Sequence, residues 1–287
     1  MAAEQSEPPG IPSSGANTWN VARTTRCLHV VVFIAIWMAL GWGFHLKPNA
    51  YLVLGVPLLA LFQLGWRRKP LYTLWVCDAA SFRPSAVGWI IGLALAILPA
   101  KETVGHWPTA PWSATLWRLS CIVGAFATGF AFTHFNRSTG KDLWFCLKTG
   151  GTIGCLFMLS AAFFRHTLGF SWSRVYTAVH SFILYVPVSF VLEEVVFRGA
   201  LDAHVQHPGE AYPWFTAFFV SALWGLWHLP ILQYSGLVQF VGSAIAMPLI
   251  HGAIGVFLSM GWRRSGNLAV PAIVHAFIDA VRNAVLM

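Results

Sequence analysis

Residues 211–262 read AYPWFTAFFVSALWGLWHLPILQYSGLVQFVGSAIAMPLIHGAIGVFLSMGW, 52 residues without one Lys, Arg, Asp or Glu. A hydrocarbon core about 30 Å thick is crossed by about 20 helical residues. The run is therefore too long for one crossing and holds two. Proline and glycine in HLPILQYSG (His228–Gly236) allow a turn, which places the two spans at about 211–228 and 237–261.

Working outward, the same criterion gives spans at about 27–46, 49–66, 85–100, 115–136, 143–164, 175–197 and 266–286, nine in all to within one. The first, Cys27–Leu46, is 20 uncharged residues. It is too long and too late for the apolar region of a signal peptide and reads as an uncleaved anchor. Residues 1–26, rich in Pro, Gly and Ser, read as a disordered cytoplasmic tail. The fold class expected is an all-α polytopic transmembrane bundle of eight to nine spans with no soluble domain. Three parts follow: the tail (1–26), N-terminal transmembrane helices of unknown role (27–174) and a transmembrane domain carrying the chemistry (175–286).

The whole chain agrees. Of 287 residues, 57 % are hydrophobic and 10 % charged, with a mean hydropathy of +0.63. Soluble domains carry about 25 % charged residues, so an ordinary soluble enzyme is excluded. The net charge of +8 and pI near 9.6 do not indicate nucleic acid, because the basic residues lie between apolar spans, where they orient the chain and meet anionic lipid headgroups. An N-terminus inside sends Arg67, Arg68, Lys69, Arg83, Arg137, Lys141, Arg263 and Arg264 to the cytoplasm. It leaves mainly Lys47, Lys101, Arg165 and Arg174 on the other side. The localisation expected is the plasma (inner) membrane, multi-pass, with a cytoplasmic N-terminus. Tryptophans near span ends (Trp66, Trp107, Trp112, Trp144, Trp172, Trp214, Trp262) read as an interfacial belt. The five cysteines show no CxxC spacing and indicate neither a disulfide framework nor a zinc knuckle.

Of the ten acidic residues, seven read as lying in the tail, in loops or just outside a span, Asp142 and Asp202 among them. Glu193, Glu194 and Asp279 fall within apolar helices, where an ionisable group costs at least ~2.5 kcal/mol and usually faces the bundle interior for a purpose. In SFVLEEVVFRGAL (Ser189–Leu201), Glu194 and Arg198 are four apart, neighbours in the favourable acid-first order on an α-helix. Glu193 is turned about 100° away and has no such partner. In SALWGLWHLP (Ser221–Pro230), His228 closes an apolar run with Trp224 one turn earlier. In AIVHAFIDAVRN (Ala272–Asn283), His275 and Asp279 share one helical face.

Each segment alone has a structural explanation: a buried ion pair, an interfacial histidine, a His–Asp hydrogen bond. Together they put a Glu, two His and an Asp on three helices of one apolar bundle, a set suited to activating water directly or through zinc. His251 reads as packing, His204 and His207 as solvated, and His180 and Lys148 have no evident partner in sequence. A non-enzymatic bundle, a transporter or proton- or ion-binding protein using the same Glu/His/Asp cluster, is the alternative. No paired broken helices or internal repeat favour it.

These segments, in this order, resemble the CAAX-protease and bacteriocin-processing (CPBP, or Abi) family of intramembrane endopeptidases, which includes the type II CAAX prenyl endopeptidases. The EExxxR motif is matched by Glu193, Glu194 and Arg198. FxxxH is matched at His228, with Trp224 where Phe is usual, and HxxxN or HxxxD at His275 and Asp279. The resemblance covers about 175–286 and implies an endopeptidase acting on a membrane-anchored or lipidated protein or a peptide tail. It implies Glu193 as base for water with His228, His275 and Asp279 facing the oxyanion, and Glu194, Arg198 and Trp224 in support. If zinc is used, its ligands would be Glu193, His228 and His275. A glutamate-type mechanism is preferred, because those ligands come from three separate helices without the close HExxH spacing. Asp279 in place of Asn donates to an oxyanion only if protonated. Otherwise it orients His275 and the donors lie elsewhere.

Overall fold

The computed structural model describes residues 15–77, 79–206 and 213–286. Among them are nine helices long and apolar enough to cross a membrane: α1 (Arg23–Gly43), α2 (Pro48–Trp66), α3 (Ala86–Gly105), α4 (Trp112–Phe132), α5 (Arg137–Phe164), α6 (Trp172–Val205), α7 (Pro213–Ile231), α8 (Leu237–Ser265) and α9 (Ala269–Leu286). In hydrocarbon every backbone N–H and C=O must find its partner inside the segment, which leaves a helix as the available form for these runs. The chain is an integral multi-pass membrane protein. The helix containing α1 begins at Gly15, inside the stretch expected to be a disordered tail; residues 1–14 of that stretch lie outside the described residues. The break inside the 52-residue apolar run falls between Ile231 and Leu237, as its proline and glycine require.

The ends are set by local chemistry. Ser85 and Ser171 accept from the backbone N–H groups of Gly88 and Arg174. Asn136 and Thr139 form a reciprocal capping box, which satisfies donors that the first helical turn leaves unpaired. Gly266 ends α8 at φ 61°, returning its N–H to Trp262 O, a left-handed conformation that glycine adopts without a Cβ clash. α3 and α4 meet so closely that a Cβ on Gly129 would lie 2.3 Å from Gly88 O. Small residues let transmembrane backbones approach in this way.

α6 carries an irregularity with consequences for the site. From Phe190 to Asp202 its hydrogen bonding is π-helical, so Glu193, Glu194 and Arg198 do not sit on the α-helical wheel expected from the sequence. Pro187 lies in the preceding turn and has no N–H for the regular ladder. π-Helical turns recur at functional sites.

The polar interior corrects several expectations. Asp202 is fully buried at the end of α6, bound by Arg263 at 2.7 Å, and Asp142 is buried in α5, bound by Arg264 at 2.9 Å. Neither acid is a loop residue, because each arginine of the last α8 turn reaches back to neutralise one of them. Trp262 is 1 % exposed and belongs to the core, not to the interfacial belt; Trp66, Trp107, Trp112, Trp144, Trp172 and Trp214 are exposed as a belt requires. His204 is half-buried against His29 at 3.4 Å, while His207 lies outside the described residues. His180 lies 3.5 Å from Glu102, and Lys148 covers the Trp144 ring. The five cysteines are free thiols.

Removing one partner of a buried ion pair leaves the other charge uncompensated, at a cost of about 3 kcal/mol or more. Asp202→Ala is expected to lower the thermal unfolding midpoint in detergent by several degrees, against little change for Arg137→Ala on the exposed first turn of α5. An equal midpoint for Asp202→Ala and wild type would contradict this packing.

Candidate active site

Three helices bring the expected residues together. The π-helical stretch of α6 carries Glu193, Glu194 and Arg198, α7 carries Trp224 and, near its end, His228, and α9 carries His275 and Asp279. Glu193, Trp224, His228, His275 and Asp279 line one cavity of about 80 Å³, with Met158 of α5, His251 of α8 and Arg282 of α9 among the other lining residues.

Glu194 is the buried anchor. Its Oε1 accepts from His275 Nδ1 at 2.7 Å and lies 3.4 Å from Arg198 Nη1, all three side chains being almost fully enclosed. The carboxylate expected to pair with Arg198 alone is thus shared, and its shorter contact is to the histidine. Because a carboxylate only accepts, His275 Nδ1 carries the hydrogen. The Arg198 guanidinium stacks on the Trp224 ring at 4.4 Å, a cation–π contact that gains strength where water is excluded. It packs against Gly255 so tightly that a Cβ there would lie 2.6 Å from Arg198 Nη2 and 2.5 Å from Ser221 Oγ.

Glu193 has a partner that sequence spacing does not reveal. Trp224 Nε1 donates to its Oε2 at 2.8 Å, and His275 Nε2 stands 3.9 Å from the same oxygen. Among the described residues no hydrogen bond engages Oε1. His228 Nδ1 donates to Trp224 O at 2.8 Å, which orients the ring and leaves Nε2 for other contacts. His251, read from sequence as packing, lies 4.4 Å from the His228 ring, tilted against it, and is held by Met247 O. Arg282 was missed altogether. Its Nη1 contacts Asp279 Oδ1 at 2.7 Å, closer than the 3.7 Å between Asp279 Oδ2 and His275 Nε2. The i, i+3 spacing of Asp279 and Arg282 is the signal that could have found it.

A zinc ion needs about four N, O or S donors at close to 2 Å in tetrahedral array. His275 Nε2, His228 Nε2 and Glu193 Oε1 are the atoms that their hydrogen bonds leave for such a role. Among the described residues no three His, Cys, Asp or Glu side chains are grouped to hold a metal. The three side chains expected as zinc ligands line the cavity without being drawn together as a metal site.

Residues 175–281 match a family model described as type II CAAX prenyl endopeptidase Rce1-like. This part of the chain is similar to that family. The match begins at Val175 in α6, ends at Val281 in α9 and contains every residue of the three motifs. No curated protein and no solved structure matches the chain. Residues 175–281 are thus similar to a family of membrane endopeptidases, and their three polar motifs meet at one cavity. The helices ahead of it contribute Met158 to the lining and the surrounding bundle.

Gly255 is the most sensitive point of this arrangement. Gly255→Ala drives a methyl group into the Arg198–Ser221 contact, an overpacking that costs about 1–3 kcal/mol. A lowered unfolding midpoint is expected, against an unchanged one for Gly242→Ala in the same helix, where a Cβ would meet nothing within 4 Å.

Proposed function

We propose that the protein is a glutamate-type intramembrane endopeptidase that hydrolyses a peptide bond in a membrane-associated protein or peptide tail. The observation that carries this reading is the pairing of two adjacent carboxylates with different duties. Glu194 is consumed by His275 and Arg198, while Glu193 faces the cavity with one oxygen held by Trp224.

In this mechanism a water bound at Glu193 Oε1 attacks the carbonyl carbon of the scissile amide. Glu193 accepts the water proton as the C–O bond forms, and His228 Nε2 orients the attacking water. His275, with Nδ1 donating to Glu194, turns a protonated Nε2 toward the oxyanion, where a donor in a dry site is worth far more than in bulk water. Collapse of the tetrahedral intermediate breaks the C–N bond, and the proton held by Glu193 passes to the leaving amine. Asp279 is an acceptor to Arg282 and takes the part of an orienting group. It aligns the His275–Arg282 edge of the cavity and does not donate to the oxyanion. The matched family supports membrane-associated, prenylated proteins as the substrate class. The basic loops support contact with anionic lipids, consistent with the plasma membrane proposed here.

The test is cleavage of membrane-tethered peptides by protein purified in detergent, with and without a chelator. Loss of a general base costs about 10²–10⁴ in rate, so Glu193→Gln is expected to lose at least about 100-fold with its unfolding midpoint kept. Retained turnover in that variant would remove the assigned base, and loss on chelation restored by zinc would replace the mechanism with a metal one. Trp224→Phe restores the aromatic usual in the family motif but removes the indole N–H. Hydrogen bonds to charged groups contribute about 1.5–3 kcal/mol, so kcat/KM is expected to fall about tenfold or more, with a lowered unfolding midpoint because the smaller ring also leaves a cavity beside Arg198.

A further inference from the structure

We propose that an arginine-rich recess at one end of the bundle and the apolar groove beside it form a single binding site for an anionic glycerophospholipid. The phosphate sits on Arg67 and Lys69, and one acyl chain lies between α1 and α2. The site is separate from the cavity and does not depend on the endopeptidase reading.

The recess, of about 890 Å³, opens where the start of α1 meets the ends of α2, α6 and α8. Arg26, Arg67, Lys69, Arg263 and Arg264 line it, and among the described residues no Asp or Glu does. Two of these charges are already answered, since Arg263 binds Asp202 and Arg264 binds Asp142. Arg67 and Lys69 have no acidic partner among the described residues. Arg67 is nevertheless held in place. Its Nη1 donates to Gln63 Oε1 at 3.0 Å and to Gly199 O at 3.2 Å. Gln63 is itself fully buried and donates to Pro70 O and Thr73 Oγ1. A guanidinium fixed through one nitrogen keeps Nη2 and Nε in a planar fork, the geometry that suits a phosphate. Basic pockets between transmembrane helices take anionic headgroups by this charge complementarity.

The recess alone would suit any anion; the groove next to it selects a lipid. Phe33 and Ile36 of α1, with Leu58, Phe62, Gly65 and Trp66 of α2, line an apolar trough of about 380 Å³. It adjoins the recess at the end of α2, where Trp66 lines the one and Arg67 the other. His29 and His204 stand at the junction. Their ring nitrogens are 3.4 Å apart, with His29 against the Trp66 ring and His204 against the Phe62 ring. Imidazole N–H groups there suit the ester oxygens that follow the phosphate in a glycerophospholipid. From Trp66 back to Leu58 is about 12 Å of helix, close to one leaflet of a hydrocarbon core about 30 Å thick. A lipid held this way bridges α1 and α2 to Gly199, Arg263 and Arg264 of the segment that matches the endopeptidases.

The full chain, purified in detergent, is titrated with phosphatidylglycerol, with phosphatidylcholine of the same acyl chains and with inorganic phosphate. Native mass spectrometry and the unfolding midpoint are the readouts. One retained phosphatidylglycerol and a raised midpoint are expected, and neither from the other two. The Lys69 side chain makes no hydrogen bond or ion pair among the described residues, so Lys69→Gln is expected to fold as wild type. It should weaken phosphatidylglycerol about fivefold, the loss that follows from removing one cation near an anionic headgroup. Gly65→Leu fills the groove at a point where a Cβ would meet nothing within 4 Å. It is expected to weaken phosphatidylglycerol several-fold with the lipid-free midpoint kept. Equal retention of phosphatidylcholine, or an equal midpoint shift with inorganic phosphate, overturns the lipid assignment. Phosphatidylglycerol binding left unchanged by either substitution overturns the placement of headgroup or chain.

Discussion

Burying carboxylates in an apolar bundle is the constraint around which this structure is organised, and Glu194 is where it is met. A buried charge is tolerated when it is paired and hydrogen-bonded. Glu194 is enclosed and meets both a histidine from α9 and an arginine from its own helix. That contact ties the two helices together at mid-depth. Arg198 in turn fixes Trp224 through its ring, and the Trp224 indole holds Glu193. The cavity-facing carboxylate is thus oriented by a chain of contacts that starts at its neighbour in sequence. The tight fit around Gly255 follows, since an arginine packed over the Trp224 ring leaves no room for a methyl group on the adjoining helix.

The same principle operates at the arginine-bearing end of α8, with a structural outcome. Asp202 and Asp142 are buried at helix ends and neutralised by Arg263 and Arg264, which stand side by side in the last turn of α8. These pairs clamp α6 and α5 to α8. One set of buried charges thus joins helix ends while the other lines a site.

The span count, the break after His228 and the meeting of three polar segments were legible because they depend on local composition and period. A run without charges must cross, and costly ionisable groups in such a run must face inward. What was not legible depends on distance in sequence or on departure from regular geometry. The Asp202–Arg263 and Asp142–Arg264 pairs join residues far apart along the chain, and no local pattern announces them. Trp224 was recognisable as the aromatic one turn before His228, yet its role as donor to Glu193 requires the packing of α7 on α6. The π-helical stretch moved Glu193 and Glu194 off the expected wheel, with only Pro187 upstream as a hint.

Two positions depart from the motif pattern of the resembling family, and the structure gives each a local counterpart. Trp224 stands where phenylalanine is usual, and the N–H that the larger ring adds is directed at Glu193, supplying a hydrogen bond a phenyl group cannot make. Asp279 stands where an amide is frequent, and the charge it adds is met by Arg282 at 2.7 Å. A neutral amide at that position would leave the arginine, on the cavity wall, without its counter-ion. The aspartate and the arginine are therefore best understood as one unit whose parts are not separately exchangeable. The pair keeps an extra acid in the cavity from adding an uncompensated negative charge beside Glu193, where charge balance governs whether a carboxylate can take a proton from water.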